Sequence, residues 1–313
     1  MKNIRIGTRN SPLAMWQAES VAAKLRQLGC ETEIVPIISS GDKHLDLPLY
    51  AMGITGVFTR DLDIALLQRE IDIAVHSLKD VPTQLPENVE LIAYLERDFP
   101  QDILVRSSAA KNKDLKDLKI ATSSLRRRAF WAKEFPHTEF TDIRGNVQTR
   151  LRKLDEGVAD ATMFSRAGIE RLGLPVDYEE LPMMISAPSQ GVVAVAGLSE
   201  NVEINKIVKK ISDTKTQICV EIERDFLAVL EGGCTAPIGA FAEFNENQIR
   251  FVGRLCSLDG KNCIETDEIF DYDENKSFGE EMANKILDNG GRELMDEIKK
   301  VCSEYSVYKK KYR

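Results

Sequence analysis

Four short turns of this chain carry arginines where an anion would be welcome. Arg9 stands in GTRNSP, Arg126 and Arg127 in TSSLRRR, Arg144 in IRGN, and Arg150 one turn into the helix pattern that follows. Each sits at or near a junction where a strand pattern passes into a helix, so free backbone N–H groups and the helix dipole already attract negative charge. A guanidinium adds a planar fork of donors that matches a carboxylate in bidentate fashion. One RRR run alone is most simply a solvated helix face, but four such junctions call for a ligand with several negative charges. Neither GxGxxG nor GxxxxGKS/T occurs, which weighs against phosphate as that charge.

Two further motifs could act on such a ligand. HSLKDVP places Lys79 and Asp80 just past a strand end, beside a proline that fixes the turn. A carboxylate there can protonate a leaving amine or stabilise a developing cation, while Lys79 holds a ligand carboxylate or tunes Asp80. A lone Lys-Asp pair is more often a surface ion pair, and both readings stay open on these residues alone. LEGGCTAPIG sets Cys234 after two glycines, in a loop between a helix and a strand. Paired glycines allow close approach to the backbone and leave a loop thiol open to electrophiles, although a structural cysteine would fit the same spacing.

The elements that must position these groups follow from periodicity. Ile4 to Ile6 reads as a strand, Ser11 as an N-cap with Pro12 at the first helical position, and Ala14, Ala18, Val21 and Leu25 as one buried helix face closed by Gly29. Thr32 to Ile38 and IDIAV (71–75) are the next strands, separated by a long polar stretch of the kind that forms lids, and by a helix over Phe58, Leu62 and Leu66. KIATSSLRRRAFWAKEF and FTDIRGNVQTRLRKLDEG each read strand, turn, helix, and ADATMF (159–164) is a further strand. Such alternation predicts parallel sheets with ligands at the strand C-terminal ends. From Pro237 the pattern changes to three strands with a hairpin signal at Asp259-Gly260, then two helices split by Gly290-Gly291, which predicts a separate α+β domain.

Bulk properties narrow the function classes. A chain of 313 residues exceeds one ordinary core, so two or three domains are expected, and 43% apolar with 29% charged residues speaks against disorder. A net charge of -8 weighs against general nucleic-acid binding, and no run approaches a membrane span or a signal peptide, so no nucleic-acid partner, no membrane and a cytoplasmic location are expected. The six scattered cysteines are expected to be reduced, and the three histidines lie too far from one another and from any cysteine pair to support a metal site.

IGTRNSPLAMWQA, HSLKDVP, TSSLRR, IRGNVQTRLRKLD and LEGGCTAPIG, in this order, closely resemble the porphobilinogen deaminase (hydroxymethylbilane synthase) family, with ERDFPQD, GIERLGL and APSQGVVAVA fitting between them. The resemblance covers nearly the whole chain. It implies an enzyme that joins four porphobilinogen molecules head to tail, releasing ammonia at each step, on a dipyrromethane cofactor held by a thioether to Cys234. Every pyrrole carries an acetate and a propionate, so the arginine turns would have their ligand. Ser124, Arg126, Arg127, Arg144 and Gly145 would hold the cofactor together with Lys79 and Asp80. Arg9, Ser11, Arg144, Arg150 and Arg171 would hold substrate carboxylates. Asp80, assisted by Lys79, would be the catalytic acid and the counter-charge to a cationic azafulvene.

The fold implied is α/β, with two periplasmic-binding-protein-like lobes plus a small C-terminal α+β domain built on an antiparallel sheet. The expected divisions are 1–96 with about 190–210, then 97–189, then 213–313, in a monomer. Departures from the family pattern are few. Ala51 and Thr55 stand in AMGITGVF where lysines are usual, Ser189 and Ala196 replace a glycine and a glutamate in APSQGVVAVA, and Arg166 occupies a position usually small or apolar. Arg166 is a candidate to restore the missing positive charge. The rival readings are a family member impaired by its lid and a two-lobed anion sensor without turnover.

Overall fold

The computed structural model describes residues 3–38, 58–230 and 236–311, with side chains through Glu304. The lid positions Ala51 and Thr55 and the Cys234 loop lie outside the described residues. Strand β1 (Asn3–Arg9) buries Ile4 and Ile6 completely and delivers Arg9 at its C-terminal end. Helix α1 (Pro12–Gln27) starts as its sequence predicts: the Ser11 side chain accepts the Ala14 N–H, and Pro12 occupies the first turn, where no intrahelical N–H bond is lost. Ala18, Val21, Ala22 and Leu25 turn to the sheet, and Gly29 at φ +82° lets the chain reverse into β2 (Glu31–Ile37). Helix α2 (Arg60–Leu67) leads to β3 (Ile73–Ser77), then β4 (Val89–Tyr94).

The chain crosses to a second sheet at β5 (Asp102–Arg106), continuing through β6 (Ile120–Ala121), α3 (Leu125–Glu134), β7 (Phe140–Thr141), α4 (Val147–Asp155), β8 (Ala161–Ser165), α5 (Arg166–Glu170) and β9 (Glu179–Glu180). It returns to the first sheet as β10 (Val193–Leu198), a VAVAGL strand buried along its whole length. Strand order is β2-β1-β3-β10-β4 in the first sheet and β7-β6-β8-β5-β9 in the second.

The expectation of parallel sheets needs correcting. β1 runs parallel to β2 and β3, and β6 parallel to β7 and β8, but β10 is antiparallel to both of its neighbours and β5 to both of its own. The strand-helix-strand units keep neighbours parallel because a helix crossover returns the chain to the same edge. β5 and β10 arrive from the opposite sheet without such a crossover, and so their direction is free to reverse. The two crossing segments, around 95–101 and 181–192, therefore run side by side: Asp98 N–H donates to Gly191 O, and Leu95 N–H to Val193 O.

Helices α6 (Val202–Val208) and α7 (Thr214–Val229) lead into the C-terminal region. There β11 (Ile238–Asn245), β12 (Gln248–Cys256) and β13 (Cys263–Asp271) form an antiparallel sheet, covered by α7 and by α8 (Phe278–Ile286) and α9 (Arg292–Lys311) around Phe226, Phe251 and Met282. Gly290 at φ +99° makes the kink between the last two helices. The β12–β13 turn contains the expected Asp259-Gly260. Gly260, at φ +74°, presses on α3 so closely that a Cβ there would lie 2.3 Å from Ala129 O. Register places Cys256 opposite Cys263, and a disulfide joins them, so the expectation of reduced thiols fails for this pair. Spacing in sequence does not reveal which residues face each other across a hairpin. Cys30, Cys219 and Cys302 are free.

Candidate functional site

β3 ends in a single 3-10 turn, Leu78–Asp80, that carries the Lys-Asp pair. Leu78 anchors it from below: its side chain is fully buried, and its N–H donates to Val192 O at 2.9 Å. Arg224 of α7 anchors it from the side, donating to Val81 O at 3.0 Å and Pro82 O at 2.6 Å. Lys79 and Asp80 are thus partly exposed groups on a turn whose backbone is fixed by two other parts of the chain. Arg224 carried no signal in the sequence, being one charge inside a helix whose role depends on what lies opposite.

Across from this turn, Ser124 caps α3 by accepting the Arg127 N–H, which sets Arg126 and Arg127 in the first helical turn. Both guanidiniums converge on Asp102, the fully buried first residue of β5. Arg126 donates to its Oδ2 at 2.6 Å and Oδ1 at 3.1 Å, and Arg127 to Oδ1 at 2.9 Å through Nε. Remaining donors reach Ile185 O from Arg126 at 2.7 Å and Met163 O from Arg127 at 2.9 Å. Burial pushes the Asp102 carboxyl up, but the two guanidiniums outweigh it and hold the group below the usual carboxylate range.

Gln190 ties the two halves together. Its Oε1 accepts from Lys79 Nζ at 3.2 Å, while its Nε2 donates to Pro100 O at 2.7 Å and Asp102 Oδ1 at 3.3 Å. A neutral amide gives no charge signal, and neither Gln190 nor Asp102 was singled out by sequence. Arg150, on α4, joins the same cluster: it donates to Met163 O at 2.5 Å and Thr162 Oγ1 at 3.2 Å and lies over the Phe164 ring at 4.3 Å. Its Nε is buried without a hydrogen-bond partner.

The charges do not balance. Lys79, Arg126, Arg127 and Arg150 are four cations, Asp80 and Asp102 two carboxylates, which leaves an excess of two positive charges among these groups. The excess is felt within the site. Burial lowers the Lys79 ammonium to about 8, with Arg127 and Arg126 acting in the same direction against Asp80 and Asp102. Burial, then Arg127, lowers the Arg150 guanidinium to about 9. A ligand bearing two or more carboxylates would relieve both, and the orphaned Arg150 Nε supplies a donor for it. A dipyrromethane, with its acetate and propionate arms, fits that donor set.

The other expected residues are arranged around this cluster in different ways. Arg9 stacks over Phe58 at 4.3 Å and, after burial, contributes to lowering His76 to about 4, which keeps that buried histidine neutral. Ser11 is occupied as the α1 cap. Arg144 precedes the Asn146 cap of α4, and its carbonyl accepts from Lys153 Nζ at 3.1 Å. Gly145 sits at φ +117°, where a Cβ would meet Thr149 Cγ2 at 2.6 Å, so the IRGN turn requires glycine. Arg171 is tied down elsewhere, to Asp98 Oδ2 at 2.7 Å and Gly191 O at 2.6 Å. Arg166 does not stand free to replace lid charge: it pairs with Glu170 and Glu180 and lies over Phe99 at 4.0 Å. Ser189, the replacement for glycine, keeps the glycine-like φ of +65° and is held there by its N–H, which donates to Glu223 Oε2 at 2.6 Å. The placement of Cys234 lies outside the described residues.

Comparison with known proteins bears on what this cluster serves. Residues 4–206 match the family model for the porphobilinogen deaminase dipyromethane cofactor binding domain, and residues 217–288 that for the porphobilinogen deaminase C-terminal domain. The chain is 41% identical over 306 residues to porphobilinogen deaminase of Desulfosudis oleivorans, covering 95% of this chain and 98% of the relative. It is 39% identical over 304 residues to that of Xanthomonas axonopodis pv. citri, covering 95% and 100%. Among solved structures it is similar to an ancestral cationic amino acid solute binding protein, with a TM-score of 0.42 and 17% identity over 67% of this chain and 87% of that one.

Proposed function

The chain belongs to the porphobilinogen deaminase family, and from that premise we propose that Asp80 is its catalytic carboxylate, with Lys79, Arg126, Arg127 and Arg150 as grips for the carboxylates of cofactor and substrate. The enzyme is a transferase of tetrapyrrole biosynthesis that condenses porphobilinogen into hydroxymethylbilane. The observation that carries the site assignment is the Lys79–Gln190–Asp102 chain, which links the Lys-Asp turn to two buried arginines with positive charge to spare.

Asp80 has a chemical task at each addition. The amino group of porphobilinogen leaves as ammonia, and the carboxyl group can deliver the proton that makes it a leaving group. The methylene left behind is cationic, and the resulting carboxylate offsets that charge and accepts pyrrole N–H bonds; stabilisation of charge as it develops is usually the largest catalytic contribution. When bound, the dipyrromethane would supply the terminal pyrrole to which the first ring is joined, each later ring joining the one before it. Lys79, Arg126, Arg127 and Arg150 fix the carboxylate arms, so that ring positions rather than side-chain charge decide which carbon meets Asp80. We assign the cofactor's attachment to Cys234, further cofactor and substrate contacts to Arg9, Ser11, Ser124, Arg144, Gly145 and Arg171, the two lobes to 1–96 with about 190–210 and to 97–189, and the C-terminal α+β domain to 213–313. No helix among the described residues is long and apolar enough to cross a membrane. A cytoplasmic monomer without nucleic-acid partners completes this reading.

Lys79 gives the assignment a pH signature. With its ammonium lowered to about 8, it is charged and able to hold a carboxylate below that pH and neutral above it. The kcat/KM for porphobilinogen is expected to fall as pH rises past the Lys79 value, which is about 8 in the ligand-free cluster and higher once cofactor carboxylates are in place, and Lys79→Arg, which stays charged, to move the break upward. A Lys79→Ala variant that keeps the parental KM at pH 7 would remove Lys79 from substrate binding.

The whole reading is tested by intact mass and peptide mapping of protein purified from cells that make the cofactor, followed by incubation with porphobilinogen. The Cys234 peptide is expected to carry the dipyrromethane, and stepwise additions of one ring at a time are expected to follow. A bare Cys234 overturns the attachment. A loaded protein that adds no rings overturns turnover and favours the impaired family member, with Ala51 and Thr55 as its cause.

A further inference from the structure

The β12–β13 hairpin belongs to the C-terminal sheet, yet its turn end is packed into the core of the second sheet. Cys256 is fully buried in the cluster of Ala129, Phe130, Trp131 and Met184. Cys263, joined to it by the disulfide, packs on the same cluster and stays partly exposed. Gly260, at the tip, lies against the α3 backbone at Ala129 and Lys133. Arg254, two positions before Cys256, lies over the Phe130 ring at 4.8 Å and donates to Met183 O at 2.9 Å. It also pairs with Glu265, which pairs in turn with Lys133 of α3.

Two parts of the proposed active site meet at this joint. Arg126 and Arg127 open the helix whose next turn supplies Phe130 and Trp131, and the Arg126 guanidinium lies 6.0 Å from the centre of the Phe130 ring. On the other side, Cys256 N–H donates at 3.1 Å to the carbonyl of Pro237, which follows Cys234 closely in the sequence. The disulfide therefore closes a hairpin set between the arginine helix and the chain leading away from the cofactor's proposed attachment.

In a cytoplasmic enzyme such a bond faces a reducing thiol pool, where disulfides are commonly transient or redox-sensing. We propose that Cys256–Cys263 is a redox modification site, opened by a dithiol reductant and closed by a disulfide oxidant, whose state sets how the hairpin seats on α3. The inference rests on the cytoplasmic location and the carboxylate grips assigned above. A thiolate of the reductant attacks Cys263 Sγ, the partly exposed sulfur, and forms a mixed disulfide; Cys256 Sγ leaves with the bonding pair and takes up a proton. The reductant's second thiolate then attacks the reductant's own sulfur in the mixed disulfide and releases Cys263 as a thiolate, which is protonated in turn. The reductant ends as its disulfide, and the protein has gained two electrons and two protons. A thioether at Cys234 has no S–S bond and takes no part. Reduction leaves two thiols where one bond stood. Nonbonded sulfurs need more room than bonded ones, and a close-packed core yields that room only by moving its walls. One wall here is the α3 face at Ala129 and Phe130, so opening the bond loosens the hairpin's seat and the helix start that holds Arg126 and Arg127.

The test uses the cofactor-loaded enzyme, equilibrated with dithiothreitol or with glutathione disulfide, then trapped with iodoacetamide in denaturant for peptide mass mapping. Dithiothreitol is expected to make Cys256 and Cys263 alkylatable while the circular dichroism of the untrapped protein stays unchanged, and glutathione disulfide to protect both again. In the reduced enzyme the α3 amides are expected to exchange hydrogen faster, and the KM for porphobilinogen to rise about fivefold or more with kcat little changed. Cys263→Ser is expected to match the reduced enzyme in both media and to ignore dithiothreitol; Cys256→Ala, at the other sulfur, is expected to ignore it too and serves if the first variant folds poorly. A bond that opens only on unfolding, unchanged α3 exchange, an unchanged KM, or a dithiothreitol response that persists in these variants would each overturn the proposal. Alkylation and amide exchange are read without turnover, so a failure of the catalytic assignment is distinguishable from a failure of this one.

Discussion

Asp80→Asn is expected to lower kcat by about 10²- to 10⁴-fold while changing stability by no more than about 0.5 kcal/mol. The substitution keeps the shape of the side chain and removes only its charge and its proton. The fold does not lean on that charge: the 3-10 turn is held by Leu78 beneath it and by Arg224 on the Val81 and Pro82 carbonyls, and Asp80 itself is partly exposed. The chemistry does lean on it, because an amide can neither protonate the leaving amino group nor offset the cation that remains. A second consequence is independent of rate. Asp80 is the strongest influence holding the Lys79 ammonium up against burial and Arg127, so its loss moves the Lys79 break to lower pH than in the parent. Single-turnover ammonia release and the pH profile of substrate affinity measure the two effects. A variant that releases ammonia at the parental rate would remove Asp80 from the mechanism.

How much of this was legible in the sequence depends on whether a residue's partner is near it in the chain. Ser11 and Pro12 announce α1 because a cap and its helix are adjacent, and Asp259-Gly260 announces its hairpin for the same reason. The arginine turns were visible as local concentrations of charge beside helix starts. Their counter-ion was not: Asp102 lies 24 positions before Arg126 and reads simply as the polar start of a strand. Gln190 has no charge to notice, and its importance comes from spanning Lys79 and Asp102, 111 and 88 positions away. Arg166 stood out by residue type, yet Glu170 and Glu180 neutralise it. The reversed β5 and β10 and the Cys256–Cys263 disulfide share one cause, since direction and register are set by where a strand lands and leave little trace in its composition.

Asp102→Asn is expected to be the most destabilising polar substitution at the site, at about 3–5 kcal/mol, because it strips the counter-charge from two guanidiniums that stay buried. Arg126 and Arg127 would be left facing each other with only the Ile185 and Met163 carbonyls and a neutral amide as acceptors. Denaturant unfolding at pH 7 measures that loss. The sign of its pH dependence follows from the direction of the Asp102 shift. A carboxyl held below its unfolded value contributes stability that is present above about 3.9 and is lost as pH falls toward the folded value, so the gap between parent and variant is expected to narrow below pH 4. The same substitution should raise the KM for porphobilinogen, since Arg126 and Arg127 lose the carboxylate that positions them, whereas Asp80→Asn acts on kcat. A loss below about 1 kcal/mol at pH 7 would mean that the two arginines find other partners without Asp102, and the cluster would then owe its geometry to Ser124 and the helix start rather than to a buried ion pair.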